Sequence, residues 1–154
     1  MIRRAVPEDI GRIGDLLMQI DRIHNAGRPD LFKIGMKYTE EEILGIIACD
    51  NTPVFVYADD SGVVCGYCFC VIETVKDENV RTDMKTLYID DLCVDEDCRG
   101  QGIGRKMYEY VRSYAKDTGC YHITLNVWEM NPRARKFYES IGMKPLKTYM
   151  EDVL

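Results

Sequence analysis

The chain has 154 residues, enough for one domain whose core buries about two thirds of the surface of the unfolded chain. Its 20 basic and 26 acidic residues leave a formal net charge of −6 with no basic face, which argues against a general nucleic-acid binder. No apolar run reaches the length of a transmembrane helix, and Met1-Ile2-Arg3-Arg4 lacks the apolar centre of a signal peptide, so a cytoplasmic protein without a membrane partner is expected.

In chain order, Ile2–Val6 reads as a short strand that stops at Pro7. Ile10, Ile13, Leu17 and Ile20 recur at helical spacing, and Gly27-Arg28-Pro29-Asp30 ends that helix. Thr39 followed by Glu42 forms a capping box for a second helix, with Ile43, Ile46 and Ile47 on its buried side. Thr52–Tyr57 is a strand closed by the turn Asp60-Ser61-Gly62, and Val63–Val75 is a long second strand. The polar stretch Lys76–Asp83 turns it into Lys85–Val94. Ile103, Met107, Val111 and Tyr114 mark a helix face that Gly119 terminates. Tyr121–Val127 alternates as a strand. Asn131-Pro132 opens a helix carrying Ala134, Phe137 and Ile141, with Gly142 as its C-cap, and Tyr149–Leu154 reads as a final strand. Nothing in this order marks a linker or repeat.

The seven cysteines are an odd number at spacings that form no disulfide framework. Cys65-x-x-Cys68-x-Cys70 invites a zinc reading. Alternation, however, puts Cys68 and Cys70 on one face and Cys65 on the other, and no second pair completes four ligands. Reduced, core-filling cysteines and no metal are expected.

The stretch from Leu92 to Lys106 carries the most chemical information. An apolar strand runs into a turn with three glycines, Gly100, Gly102 and Gly104, and a helix follows at once. The free N–H groups of a helix's first turn make that junction an anion site, and glycine lets a bulky phosphate approach the backbone. Arg99, Arg105 and Lys106 sit at the positive end of the helix dipole, where cations are disfavoured unless an anion lies between them. The turn is neither a P-loop nor the dinucleotide pattern. It reads Arg-x-x-Gly-x-Gly, and it is followed by Leu125-Asn126-Val127, Asn131, Ala134, Phe137-Tyr138-Glu139 and Ile141-Gly142-Met143. These two blocks resemble the acyl-coenzyme A pyrophosphate loop and the next strand and helix of the GNAT superfamily of N-acetyltransferases. They cover roughly the last 60 residues. The N-terminal half resembles the family only in its order of elements.

The resemblance implies an α/β fold with a mixed, mostly antiparallel central sheet flanked by helices, one N-acetyltransferase domain over residues 1–154, and acetyl-CoA as cosubstrate. It implies that the pyrophosphate meets the turn Arg99, Gly100, Gln101, Gly102, Ile103, Gly104 and Arg105, against N–H groups from about Gln101 onward. The pantetheine arm would pair like an added strand with the main chain of Leu92, Cys93 and Val94, which satisfies its amides while the side chains pack. Asn131 reads as a helix N-cap, and in the family an Asn here bonds the pantetheine arm; both roles stay open. The family's leaving-group acid maps onto Tyr138, whose phenol donates to the departing thiolate.

The base is sought among the strand carboxylates. A primary amine with a pKa near ~10.4 is only about 0.04% neutral at pH 7, so its proton must be taken. Asp90 and Asp91 interrupt an apolar strand where carboxylates are costly. Alternation puts Asp90 on the face of Leu92 and Val94, with Asp91 opposite, which makes Asp90 the candidate base through a relaying water. The other reading is that one Asp satisfies a strand bulge. Acceptor recognition is expected from the loop His24–Phe32, which is otherwise a solvated connector.

The expected function is acetyl transfer from acetyl-CoA to the primary amine of a small molecule. A protein or peptide amine, and a non-catalytic acyl-CoA sensor of the same fold, remain as alternatives. The expected partners are acetyl-CoA and an amine, without nucleic acid, and a homodimer is left open.

Overall fold

The computed structural model describes residues 1–154. Its elements are β1 (Ile2–Arg4), α1 (Ile10–Gly27), α2 (Glu40–Ile47), β2 (Val54–Ala58), β3 (Val64–Val75), β4 (Met84–Val94), α3 (Ile103–Asp117), β5 (His122–Leu125) and α4 (Pro132–Ser140). The strands form one sheet in the order β1-β2-β3-β4-β5, antiparallel throughout except for the parallel pair β4–β5. The mixed, mostly antiparallel α/β sheet expected from the sequence is the one observed.

Alternation along β2 divides the core into two layers. Val54 and Val56 pack with Ile13, Leu16 and Leu17 of α1 and Ile43 of α2, whereas Phe55 faces Met107 and Val111 of α3. The capping box forms as its spacing requires: Glu42 N–H donates to Thr39 Oγ1 (3.2 Å), and Thr39 N–H donates to Glu42 Oε2 (2.7 Å). Gly119 ends α3 with a φ of +76°, a backbone conformation that favours glycine.

Two bulges overturn readings that rested on strict alternation. Between β2 and β3, Tyr57 pairs with Gly66 and Ala58 with Val64, so Cys65 is the extra residue. It is thereby turned into the α3 layer with Cys68 and Cys70, rather than to the opposite face. Between β3 and β4, Phe69 pairs with Asp91 and Cys70 with Ile89, so Asp90 is the extra residue. All seven cysteines are free thiols.

The final strand does not form. Residues 142–154 have no regular secondary structure, and Tyr149, Met150, Val153 and Leu154 are exposed. Tyr-Met, Glu-Asp and Val-Leu come as like pairs, so the stretch has no period-two face to bury, and Pro145 withholds a donor just before it. Glu151 instead pairs with Arg28 at the end of α1.

Candidate active site

The site is built where β4 loses a neighbour. Pairing between β4 and β5 runs from Thr86↔His122 to Ile89↔Leu125 and stops, while β4 continues to Val94. Asp95 N–H donates to Cys65 O on the β3 side (2.9 Å), so alternation turns the main-chain groups of Leu92 and Val94 toward the side that β5 has left. Val94 O is reached there by Arg99 Nε at 3.1 Å. The result is a cleft of about 410 Å³ between the end of β4 and α4.

The glycine turn closes one end of the cleft. Gly100 and Gly102 have φ values of +81° and +74°, and Gly102 occupies the N-cap of α3, where no side chain can satisfy the helix's first donors. The first bond into the helix is Lys106 N–H to Gly102 O (3.1 Å), which leaves the N–H groups of Ile103, Gly104 and Arg105 free. Gly104 serves packing: a Cβ there would lie 3.3 Å from Phe137 Cζ, so its absence lets α4 sit against the head of α3. Arg99 and Arg105 line the cleft with Gly100, Gly102, Ile103 and Gly104, whereas Gln101 does not. Lys106 is also elsewhere, with its ammonium 6.0 Å from the centre of the Tyr57 ring. A cation on the next residue of a helix points about 100° away, so Arg105 and Lys106 cannot both face one ligand.

Across the cleft, Tyr138 and Asn131 of the α4 segment line the wall that faces Leu92, Cys93 and Val94. Burial, followed by the neighbouring Cys68 and Asp91, pushes the Tyr138 phenol well above its usual pKa, so it is protonated and available as a donor. Asn131 caps α4 through its carbonyl, with Ala134 N–H donating to Oδ1 at 3.2 Å. The cap uses only the oxygen, so the Nδ2 donors remain for the cleft and the two readings of Asn131 are compatible.

The bulge places Asp90 differently from the sequence expectation, whereas Asp91 lies on the expected face opposite Leu92 and Val94. Asp90 is turned away from the face of Leu92 and Val94 and toward the segment between α1 and α2. Its Oδ2 accepts from Tyr38 Oη (2.5 Å) and from Lys37 Nζ (2.9 Å). Asp91 lies on the same side and accepts from Tyr67 Oη (3.0 Å). Burial pushes the Asp91 carboxyl up to about 6, against the pull of Lys37 and the Tyr67 hydrogen bond. Two carboxylates and one ammonium thus meet where β4 and β5 part.

Sequence reasoning missed the support behind the glycine turn. Asp95, only 4% exposed, accepts from Arg12 Nη2, from Gln19 Nε2 (3.3 Å) and from Asp97 N–H (3.1 Å). Arg12 Nε also donates to Val64 O (3.1 Å), and Gln19 Oε1 accepts from Glu96 N–H (3.2 Å). Arg12 and Gln19 lie seven residues apart, on one face of α1 beside its apolar stripe, and that was the readable signal. The stretch His24–Phe32, expected as a loop, is not a free connector either: His24–Gly27 form the last turn of α1. His24 and Phe32 stack at 5.0 Å, Phe32 meets Trp128 edge-on at 5.0 Å, and Met130 lies against Gly27. This ties the end of α1 to the segment after β5. Burial lowers the pKa of His24.

A cleft between two parting parallel strands, with free helix N–H groups at one end and a half-buried phenol in its wall, fits an acyltransferase. The sequence matches the Acetyltransferase (GNAT) family over residues 17–143, and the chain belongs to that family. It is 37% identical over 62 residues to thialysine N-ε-acetyltransferase of Bos taurus, covering 40% of this chain and 36% of the relative, so the match spans about a third of that relative's length. A crystal structure of a mutant protein from Bacillus halodurans superposes with a TM-score of 0.97 at 32% identity, covering 100% of this chain and 99% of the other. Glucosamine-6-phosphate N-acetyltransferase from Arabidopsis thaliana superposes with a TM-score of 0.71 at 25% identity, covering 99% and 97%. No group of three or more His, Cys, Asp or Glu side chains is placed to hold a metal ion, and no helix is long and apolar enough to cross a membrane.

Proposed function

We propose that the chain transfers the acetyl group of acetyl-CoA to the primary amine of a small molecule, by direct attack of the amine on the thioester. The observation that carries this reading is that Tyr138 lines the same cleft as the glycine turn, opposite the open edge of β4. The pyrophosphate sits against the N–H groups at the head of α3, between Arg99 and Arg105. The pantetheine amides pair with the main chain of Leu92 and Val94, and Asn131 Nδ2 donates from the facing wall. The thioester then arrives where β4 and β5 part, beside the carboxylates.

Asp90 takes the proton of the acceptor ammonium, directly or through a water, and the neutral amine attacks the acyl carbon. The C–N bond forms, the nitrogen releases its second proton to water, the C–S bond breaks, and Tyr138 gives its proton to the departing thiolate. Asp91 reinforces the negative potential that draws a cationic acceptor inward. A small acceptor is in keeping with the relatives named thialysine N-ε-acetyltransferase and glucosamine-6-phosphate N-acetyltransferase, whose named acceptors are small amines.

The test is thiol release from acetyl-CoA in the presence of polyamines, amino acids, aminoglycosides and peptides. Turnover is expected with at least one small amine, and Tyr138→Phe should lose it while still binding acetyl-CoA. Binding of acetyl-CoA without release for any amine makes the chain a sensor. Turnover of peptides alone moves the acceptor class.

A further inference from the structure

Lys37 is the chain's own primary amine at the place where an acceptor amine must stand. Its Nζ lies 2.9 Å from Asp90 Oδ2 and 3.4 Å from the Asp90 main-chain oxygen. Asp90 is the bulge residue directly after the last β4–β5 pair, so this ammonium sits at the apex of the parting strands. The position is held rather than incidental. The neighbouring Tyr38 bonds the same carboxylate oxygen and packs on Phe69, and Thr39 fixes the chain as the N-cap of α2. The Lys37 side chain is nevertheless 43% exposed, so it can leave and return.

We propose that Lys37 is an internal acetyl acceptor, a modification site that the active site itself fills when acetyl-CoA is bound and no external amine competes. The inference rests on the proposed acetyltransferase reading and adds a product to it. The Lys37 ammonium passes a proton to Asp90, and its lone pair attacks the thioester carbon. The new C–N bond forms, the nitrogen releases its second proton to water to leave N-ε-acetyl-lysine, the C–S bond breaks, and the thiolate takes the Tyr138 proton. Exchange with water restores both side chains, so the sum is acetyl-CoA plus a lysine ammonium giving acetyl-lysine, free CoA and one proton. No other reactant is needed.

Acetylation also removes the one cation facing two carboxylates. With Lys37 neutral, the Asp90 carboxylate loses its ammonium partner at the apex, which strengthens its attraction for a cationic acceptor. The modified chain is then expected to bind its external amine more tightly than the unmodified one. An ordinary surface ion pair would have no such effect.

The experiment incubates the purified chain with deuterium-labelled acetyl-CoA, without an acceptor, and maps the label by peptide mass spectrometry over time. Thiol release with external amines is measured in parallel. Lys37 is expected to be labelled well ahead of exposed lysines such as Lys147. In Tyr138→Phe the labelling should slow by about 10²–10⁴-fold, with acetyl-CoA binding checked by calorimetry. Lys37→Arg should carry no label at that position. Labelling of Lys37 at the same rate in Tyr138→Phe, or no faster than at Lys147, overturns the inference by making the reaction a solution one. External amines turned over with Lys37 unlabelled overturns the inference and leaves the acetyltransferase reading standing. No acetyl transfer to any amine overturns both.

Discussion

Asp91 offers a test of the site that needs no substrate. Its carboxyl is pushed up to about 6 in the fold, against a reference value of 3.8, chiefly because burial penalises the charged form. Between those two values the folded chain binds more protons than the unfolded one, so stability falls as pH rises through this window. The gap of about 2 corresponds to about 3 kcal/mol, fully felt above the folded value and absent below the unfolded one. Asp91→Asn keeps the shape and leaves an amide oxygen to accept from Tyr67, but it has no charge to desolvate. Urea unfolding should therefore give similar stabilities for the two chains near pH ~3.5, with the variant more stable by up to about 3 kcal/mol near pH ~8. A chain of this size would show the difference as a rise of roughly 6–12 °C in Tm. A difference that does not change with pH, or a variant that loses ground as pH rises, would show that burial does not raise the Asp91 pKa.

Four further measurements bear on the machinery. Tyr138→Phe should lower kcat by about 10²–10⁴-fold with unchanged affinity for acetyl-CoA, because the hydroxyl acts only as charge develops on sulfur; wild-type turnover would make the residue a packing aromatic. Asp90→Asn should shift the pH–rate profile to the alkaline side, where the amine is already neutral, and an identical profile would move the base to Asp91 or to water. Gly102→Val should weaken acetyl-CoA binding in calorimetry by filling the cradle, but it also strains a left-handed backbone. Gly102→Asn, which tolerates that conformation, is the cleaner variant, and unchanged affinity in both would sink the cradle assignment. Arg12→Met should uncouple the glycine turn from α1 and weaken donor binding more than it slows turnover at saturating acetyl-CoA; a loss confined to kcat would count against a positioning role.

The C-terminal half of the site was legible because its chemistry is local. An anion cradle needs a strand, a glycine turn and a helix in immediate succession, and each is written in consecutive residues from Leu92 to Lys106. Asn131 and Tyr138 belong to one short helix, so their spacing alone brings them to one wall. What the sequence hid depended on pairing between distant residues. The extra residues Cys65 and Asp90 are extra only relative to the strands opposite them; at Asp90 the alternative reading of a strand bulge is the one the pairing bears out, whereas nothing in the stretch around Cys65 marks one. Strict alternation therefore reversed both side chains. The last segment failed for the opposite reason: its apolar and β-branched residues read as a strand, yet a strand exists only where an edge receives it, and in this chain none does.

The missed Arg12–Asp95–Gln19 group shows how the two halves of the molecule make one site. An anion cradle works only if its free N–H groups hold their direction when no anion is present, and glycines at positive φ supply no stiffness of their own. The buried Asp95 lies between the end of β4 and the glycine turn, and three donors from α1 and the loop fix its two oxygens. Gln19 then reaches one residue further and takes the Glu96 N–H. Helix α1 thereby sets the course of the chain entering the cradle, while its far end, through His24 and Gly27, is tied to the segment after β5 on the other side of the cleft. One rigid helix spans both rims of the gap between β4 and β5. The distance from the anion cradle to the carboxylates is therefore set by the packing of α1 on the sheet, and the sequence motif of the turn alone does not determine it.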